Sequence, residues 1–109
     1  MKREKYIVND RYVIILKYSQ IYQEKDTTWF GLKEDIFKEE NVDFVLFVIQ
    51  DSDNVLVASY ESIKNIPDYV DLAPSNSNYE IHIHPDFYTI RETQTNLSHT
   101  LNNFDQLRV

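Results

Sequence analysis

The side chains able to do chemistry are few in this sequence, and its histidines come first. His82 and His84 stand two apart in Tyr79-Glu80-Ile81-His82-Ile83-His84. On a strand, that spacing puts both imidazoles on one face. Two imidazoles can begin a zinc site, but a third ligand must converge from elsewhere. Glu80 lies on the same strand and cannot easily reach, and nothing in the spacing brings His99 or Asp86 to the pair. The pair reads as a solvent-facing strand edge, with no metal and no cofactor expected.

Hydrolytic chemistry finds no better footing. Restriction-type, metal-dependent nucleases hold their metal on an acidic residue two positions before a lysine. From Lys5 onward the lysines are preceded at that distance by Arg3, Ile15, Gln23, Gly31, Ile36 and Ser62, none of them acidic. A chain whose one glycine is Gly31 has no Gly-x-Ser-x-Gly nucleophile elbow and no glycine-rich phosphate loop. The absence of cysteine removes thiol catalysis, disulfides and cysteine-ligated zinc. The carboxylate pairs Glu34/Asp35, Glu39/Glu40 and Asp51/Asp53 fall on a helix face or in a turn, where water solvates them. The expectation is a protein that is not an enzyme.

Binding chemistry is better represented. Lys17, Tyr18, Ser19, Tyr22, Lys25 and Trp29 bring cations, hydroxyls and aromatic faces to one region of the chain. Such a set can hold phosphates or stack on bases. Arg11 and Arg91 extend the list of candidate nucleic-acid contacts, with Lys2, Arg3 and Lys5 near the start. The competing reading makes Trp29 and Phe30 core anchors at a helix start. A second set, Glu34, Asp35, Glu39, Glu40 and Asp43, is a run of carboxylates that could mimic phosphates for a basic protein surface. Its plain alternative is a solvated helix face.

Charge separates these two readings. The net charge is −7, unevenly spread. Residues 1–19 hold five cations against two acids, a net +3, which leaves −10 for residues 20–109. Phosphate contacts dominate nucleic-acid affinity, so a binder of free nucleic acid normally shows a basic face. Here the N-terminal segment has most of the material for one.

The elements that must position these residues follow from periodicity. Residues 12–16 form a β-branched apolar run, with residues 6–8 as a preceding strand and Asn9-Asp10 as the turn between them. Residues 19–28 lack a period and read as a loop. Gly31 should serve a backbone need, either a positive φ or a helix start too tight for a Cβ. Residues 32–40 show helical spacing, with Leu32, Ile36 and Phe37 on one face. Phe44–Ile49 is six apolar residues in succession, and residues 55–60 return from a turn at 51–54 as its hairpin partner. Residues 61–65 read as a helical turn or two stopped by Pro67, and residues 74–77 as an exposed bend. Tyr79, Ile81 and Ile83 alternate inward against Glu80, His82 and His84. A further strand follows at 87–91. Leu97, Leu101 and Phe104 suggest a short C-terminal helix capped by Thr95 or Asn96.

At 109 residues with 42% apolar and 14% aromatic side chains, the chain has material for one core spanning 1–109 without staples. The expected class is α+β: a strand-rich, largely antiparallel curved sheet or pseudobarrel of five to seven short strands, with two or three short helices. The basic start lacks the apolar run and cleavage site of a signal peptide, and no stretch reaches the ~20 apolar residues of a membrane span. A cytoplasmic location is the expectation.

Taken in order, several segments resemble a recognition module of bacterial restriction endonucleases and related defence proteins. They are Ile14-Ile15-Leu16-Lys17-Tyr18-Ser19, Trp29-Phe30-Gly31-Leu32, Phe44–Ile49 with Val55-Leu56-Val57, Ile81-His82-Ile83-His84-Pro85, and Leu101-Asn102-Asn103-Phe104. Such modules are similar to the plant B3 type, a pseudobarrel that grips the DNA major groove with two arms. The resemblance implies a non-catalytic DNA-recognition domain in restriction or phage defence, with duplex DNA as partner. The sequence departs from that pattern in having only Arg91 and Arg108 as cations beyond Lys64, and the expectation is of a module with no nuclease domain attached. The alternative is a small acidic inhibitor, of the phage counter-defence type, that binds a basic protein surface.

Overall fold

The computed structural model describes residues 5–22, 27–38 and 41–108. Lys2, Arg3, Lys25, Glu39 and Glu40, named above, lie outside the described residues. The chain begins with a hairpin of β1 (Lys5–Val8) and β2 (Tyr12–Ser19). Asn9 and Asp10 both take positive φ, 56° and 53°, and the Arg11 amide donates to the Val8 carbonyl at 3.1 Å. Asn and Asp tolerate this left-handed geometry better than other non-glycine residues, so the expected turn forms without glycine.

β3 (Phe30–Lys33) and the single turn α1 (Asp35–Lys38) come next, followed by β4 (Phe44–Ile49) and β5 (Val55–Ser59). The main sheet runs β1-β2-β4-β5. β4 is its buried interior strand, parallel to β2 and antiparallel to β5. The six-residue apolar run is explained by this position, because β4 meets side chains on both faces. Residues 20–43 supply the long crossover that a parallel β2–β4 pair requires.

Two one-turn helices follow, α2 (Tyr60–Ile63) and α3 (Ile66–Tyr69). Pro67 does not stop a helix; it sits in the first turn of α3, where its missing N–H forfeits no helical bond. β6 (Asn78–Ile81) pairs with β3, and the two-residue strands β7 (Thr89–Ile90) and β8 (Thr95–Asn96) form a second small hairpin. The C-terminal segment is two 3-10 turns, Ser98–Thr100 and Phe104–Leu107, in place of the expected helix. The N-cap residue of the first is Leu97, neither Thr95 nor Asn96, although Asn96 Oδ1 accepts from the Ser98 amide at 2.8 Å just ahead of it.

The described residues thus form eight short strands with three one-turn helices. This is a strand-rich α+β fold whose sheets are not closed into a barrel. The core lies on one face of the main sheet, where Ile15, Val45, Phe47, Ile49, Leu56 and Ala58 meet Phe30, Leu32, Ile81 and Ile83 from the β3–β6 layer. Phe30 and Phe47 meet edge to face at 4.9 Å, a favoured ring geometry. Ile14, Leu46, Val55 and Val57 face the other way and are covered by Leu107. The Cα radius of gyration, 13.3 Å, matches the ~13 Å of a folded unit near this length. No helix among the described residues is long and apolar enough to cross a membrane.

Candidate functional site

Leu107 covers only part of the second sheet face. Cross-strand register places Tyr6, Ile14, Leu16 and Tyr18 on that same face. Ile14 is buried, but towards the end of β2 Leu16 and Tyr18 emerge from cover. Beside them lies a cleft of ≈ 450 Å³ lined by Tyr6, Lys17, Tyr18, Gln20, Tyr22 and Trp29, with Leu16, Ser19, Phe30, Gly31 and Asn78 completing the wall. Four aromatic rings are half-exposed there: Tyr6 at 45%, Tyr18 at 63%, Tyr22 at 41% and Trp29 at 40%.

Backbone and side-chain bonds fix this wall. The Tyr18 hydroxyl donates to the Gln50 carbonyl at 3.1 Å, and Gln50 Oε1 accepts from the Ile21 amide at 2.9 Å. Tyr22 pairs with Thr27 in an isolated antiparallel bridge. Trp29 is tethered at both ends: its amide donates to Ser19 Oγ at 2.9 Å, and its indole Nε1 donates to Glu80 Oε2 at 3.0 Å. The indole is therefore held in a set orientation before any ligand arrives.

The sequence expectations divide here. Lys17, Tyr18, Ser19 and Tyr22 do come together with Trp29. Ser19, however, is buried, and its hydroxyl is engaged with the Trp29 amide and the Gln20 carbonyl, so it positions Trp29 in place of meeting a ligand. Phe30 is a core residue, as one reading had it, whereas Trp29 is not. Gly31 lies inside β3 without a positive φ. A Cβ there would sit 3.0 Å from Asn78 Nδ2, so its small size serves the close β3–β6 approach and not a helix start. Leu32 correspondingly belongs to a strand, and the helix expected over 32–40 shrinks to one turn.

The remaining cations are dispersed. Arg11 sits at the β1–β2 turn, its guanidinium 5.3 Å from the Tyr12 ring centroid. Six residues of strand separate it from Lys17, on the order of 20 Å. Arg91 belongs to the turn between β7 and β8 and reaches Glu92 at 3.8 Å. Lys38 pairs with Glu34, Lys64 with Glu61, and Arg108 with Asp105. The Glu61 hydrogen bond and charge hold the Lys64 ammonium above its ordinary pKa.

The acidic set is divided as well. Asp43 Oδ2 accepts from the Val13 amide at 2.8 Å, so this carboxylate has a structural role at the start of β2. Glu34 is in its pair with Lys38, and Asp35 opens α1.

Both histidines lie past the end of β6, half-buried on either side of the Ile83–Ile90 bridge, and the Nδ1 atom of each is engaged with protein partners. His82 Nδ1 lies 2.7 Å from Glu92 Oε2 and 3.1 Å from an Arg91 guanidinium nitrogen. His84 Nδ1 accepts from the Asp86 and Phe87 amides at 3.1 and 3.3 Å, which leaves its proton on Nε2. No group of three metal-ligating side chains occurs among the described residues.

Sequence reasoning missed Tyr6, Gln20 and Asn78 as cleft residues. Only Tyr6 left a signal, an aromatic on the strand preceding Asn9-Asp10. No protein-family model matches this sequence, and comparison with curated proteins and with solved structures returns no match.

Proposed function

We propose that this chain is a non-catalytic nucleic-acid-binding module that takes unpaired bases at the aromatic cleft. The observation that carries the reading is the convergence of Tyr6, Tyr18, Tyr22 and Trp29 with Lys17 in one cleft, with no carboxylate among its described lining residues. Exposed aromatic faces beside a cation form a stacking platform, and stacking is tolerant of sequence because every base has a π face. In a chain with 18 acids and 11 cations, a described lining of aromatic rings, amides and a lysine favours an anionic ligand with flat faces. Glu80 stands behind Trp29 and is occupied with the indole N–H.

Single strands suit this surface better than the duplex groove suggested by the resemblance, because Arg11, Lys17 and Arg91 do not line up as a basic stripe. A setting in bacterial restriction or phage defence rests on the resemblance alone. A reducing cytosol suits a chain without cysteine. The acidic excess supports a second reading, a basic protein partner, for which Asp43 and Glu34 are less available because each already holds a contact within the chain.

Trp29 is the only tryptophan, so its fluorescence reports directly on the cleft. Titration with oligothymidylate at low salt should quench it with saturation, and Tyr18→Ala should weaken binding by about fivefold or more. Absence of binding up to about 100 μM would reject the proposal, since even non-specific binders reach that range.

A further inference from the structure

A second cleft, of ≈ 500 Å³, is lined by Thr27, His84, Phe87, Thr89, Arg91 and two further polar residues, Gln94 and Asn96. It repeats the chemistry of the first. Phe87 is 67% exposed on the turn before β7 and lies against the His84 ring, with centroids 4.7 Å apart and planes tilted by 35°. Arg91, whose guanidinium also reaches His82 and Glu92, supplies a cation, and no carboxylate is among the described residues that line the space. A ring this exposed, held on one side against a neighbouring ring, is a ready surface for a third.

The two clefts are coupled by covalent and hydrogen-bonded geometry. Tyr22 lines the first and Thr27 the second, and these residues are cross-strand partners. Trp29 in the first is two residues from Thr27 in the second, on the order of 7 Å along extended chain. Between them Thr28 is fully buried, its Oγ1 donating to the Ile83 carbonyl at 2.7 Å and its amide to the same oxygen at 3.2 Å. Ile83 directly precedes His84. One buried lock thus sets Trp29 on one side and His84 on the other.

From this juxtaposition we infer that the second cleft is a distinct subsite for the same ligand class, so that one extended single strand occupies both. The inference rests on the proposed reading of the first cleft. Phe87 and His84 stack on a base, Arg91 meets a phosphate, and the Tyr22–Thr27 bridge lies between the two stacking points. A ligand too short to pass the bridge uses one cleft only. The chain therefore discriminates strands by length, within the ~4–16 nucleotides that comparable small modules cover.

The test compares thymidine oligonucleotides of about three and about twelve residues on the intact chain, read by Trp29 fluorescence and by anisotropy of a labelled strand. Phe87→Ala and Arg91→Gln alter exposed side chains, and circular dichroism checks that both variants fold. Phe87→Ala should weaken the longer strand by about fivefold or more and leave the trinucleotide's quenching of Trp29 unchanged, with Arg91→Gln acting in the same direction. If both variants bind the longer strand as the parent does, while Tyr18→Ala weakens both lengths, the second subsite is overturned and the first stands. If neither strand binds the parent chain, or a lysine-rich peptide saturates it while both strands fail, both readings fall.

Discussion

Asn102 offers the sharpest test of how the sheet edge is closed. β5 is an edge strand of the main sheet, and its outer side is met by the C-terminal segment at the Leu56–Leu101 bridge. Asn102 performs most of that closure. Its amide donates to the Val55 carbonyl at 2.6 Å, its Oδ1 accepts from the Val55 amide at 3.0 Å, and its Nδ2 donates to the Asp53 carbonyl at 2.6 Å. It does so with φ at 52°, a region unfavourable for most side chains. Asn102→Ala removes two side-chain hydrogen bonds, about 1–3 kcal/mol together, and adds about 1–2 kcal/mol for a Cβ residue without asparagine's local compensation. Asn102→Gly removes the same bonds without the strain, but costs about 0.4–1 kcal/mol through the freer unfolded chain. The expected loss is therefore about 2–5 kcal/mol for alanine, with glycine milder by up to about 1.5 kcal/mol. Urea unfolding followed by far-ultraviolet circular dichroism resolves this as a shift in midpoint at constant slope. Alanine no worse than glycine would refute the strain argument. Both variants within about 0.5 kcal/mol of the parent, the range of ordinary surface changes, would refute the clamp itself.

Other positions give further outcomes. Phe47→Ala, at a fully buried site in β4 against Phe30, should cost about 3–5 kcal/mol, read as a large fall in thermal midpoint; a loss below about 1.5 kcal/mol would mean the core collapses around it. Thr28→Val should cost only about 1 kcal/mol despite full burial, because the Ile83 carbonyl still receives the Thr28 amide. Glu80→Leu should release the indole and raise acrylamide quenching of Trp29, whereas Glu80→Gln, which keeps an acceptor, should not; equal quenching in the two would dispose of the tether.

The sequence was most informative where one physical constraint dominated. Six apolar residues in succession fit only a strand covered on both faces, and β4 is that strand. Strict alternation from Tyr79 to Ile83 fits a strand with one buried side, and those three odd positions are buried. The region over 32–40 misled because Leu32 and Ile36 are four apart, the helical interval, yet each is buried by a different element. Leu97, Leu101 and Phe104 misled in the same way, since Leu97 is buried, Leu101 pairs with Leu56 in a bridge and Phe104 stays exposed on a 3-10 turn, at intervals close to helical. The parallel β2–β4 pairing had no local signature at all. At the cleft, the aromatic and cationic types were visible, whereas the roles of Ser19 and Asp43 were not. Whether a polar side chain faces a ligand or a backbone amide depends on tertiary neighbours distant in sequence, Trp29 for Ser19 and Val13 for Asp43.

The central claim concerns where a single strand meets the molecule, and amide chemical-shift mapping with oligothymidylate addresses that directly. Shifts should concentrate at residues 16–22, 29–31 and 78, grow to saturation, and recede with salt at a slope of about 0.7 per phosphate contacted, hence shallowly for a site with one lysine among its described lining residues. Shifts confined to the acidic residues near α1, or no shifts up to about 100 μM strand, would contradict the account.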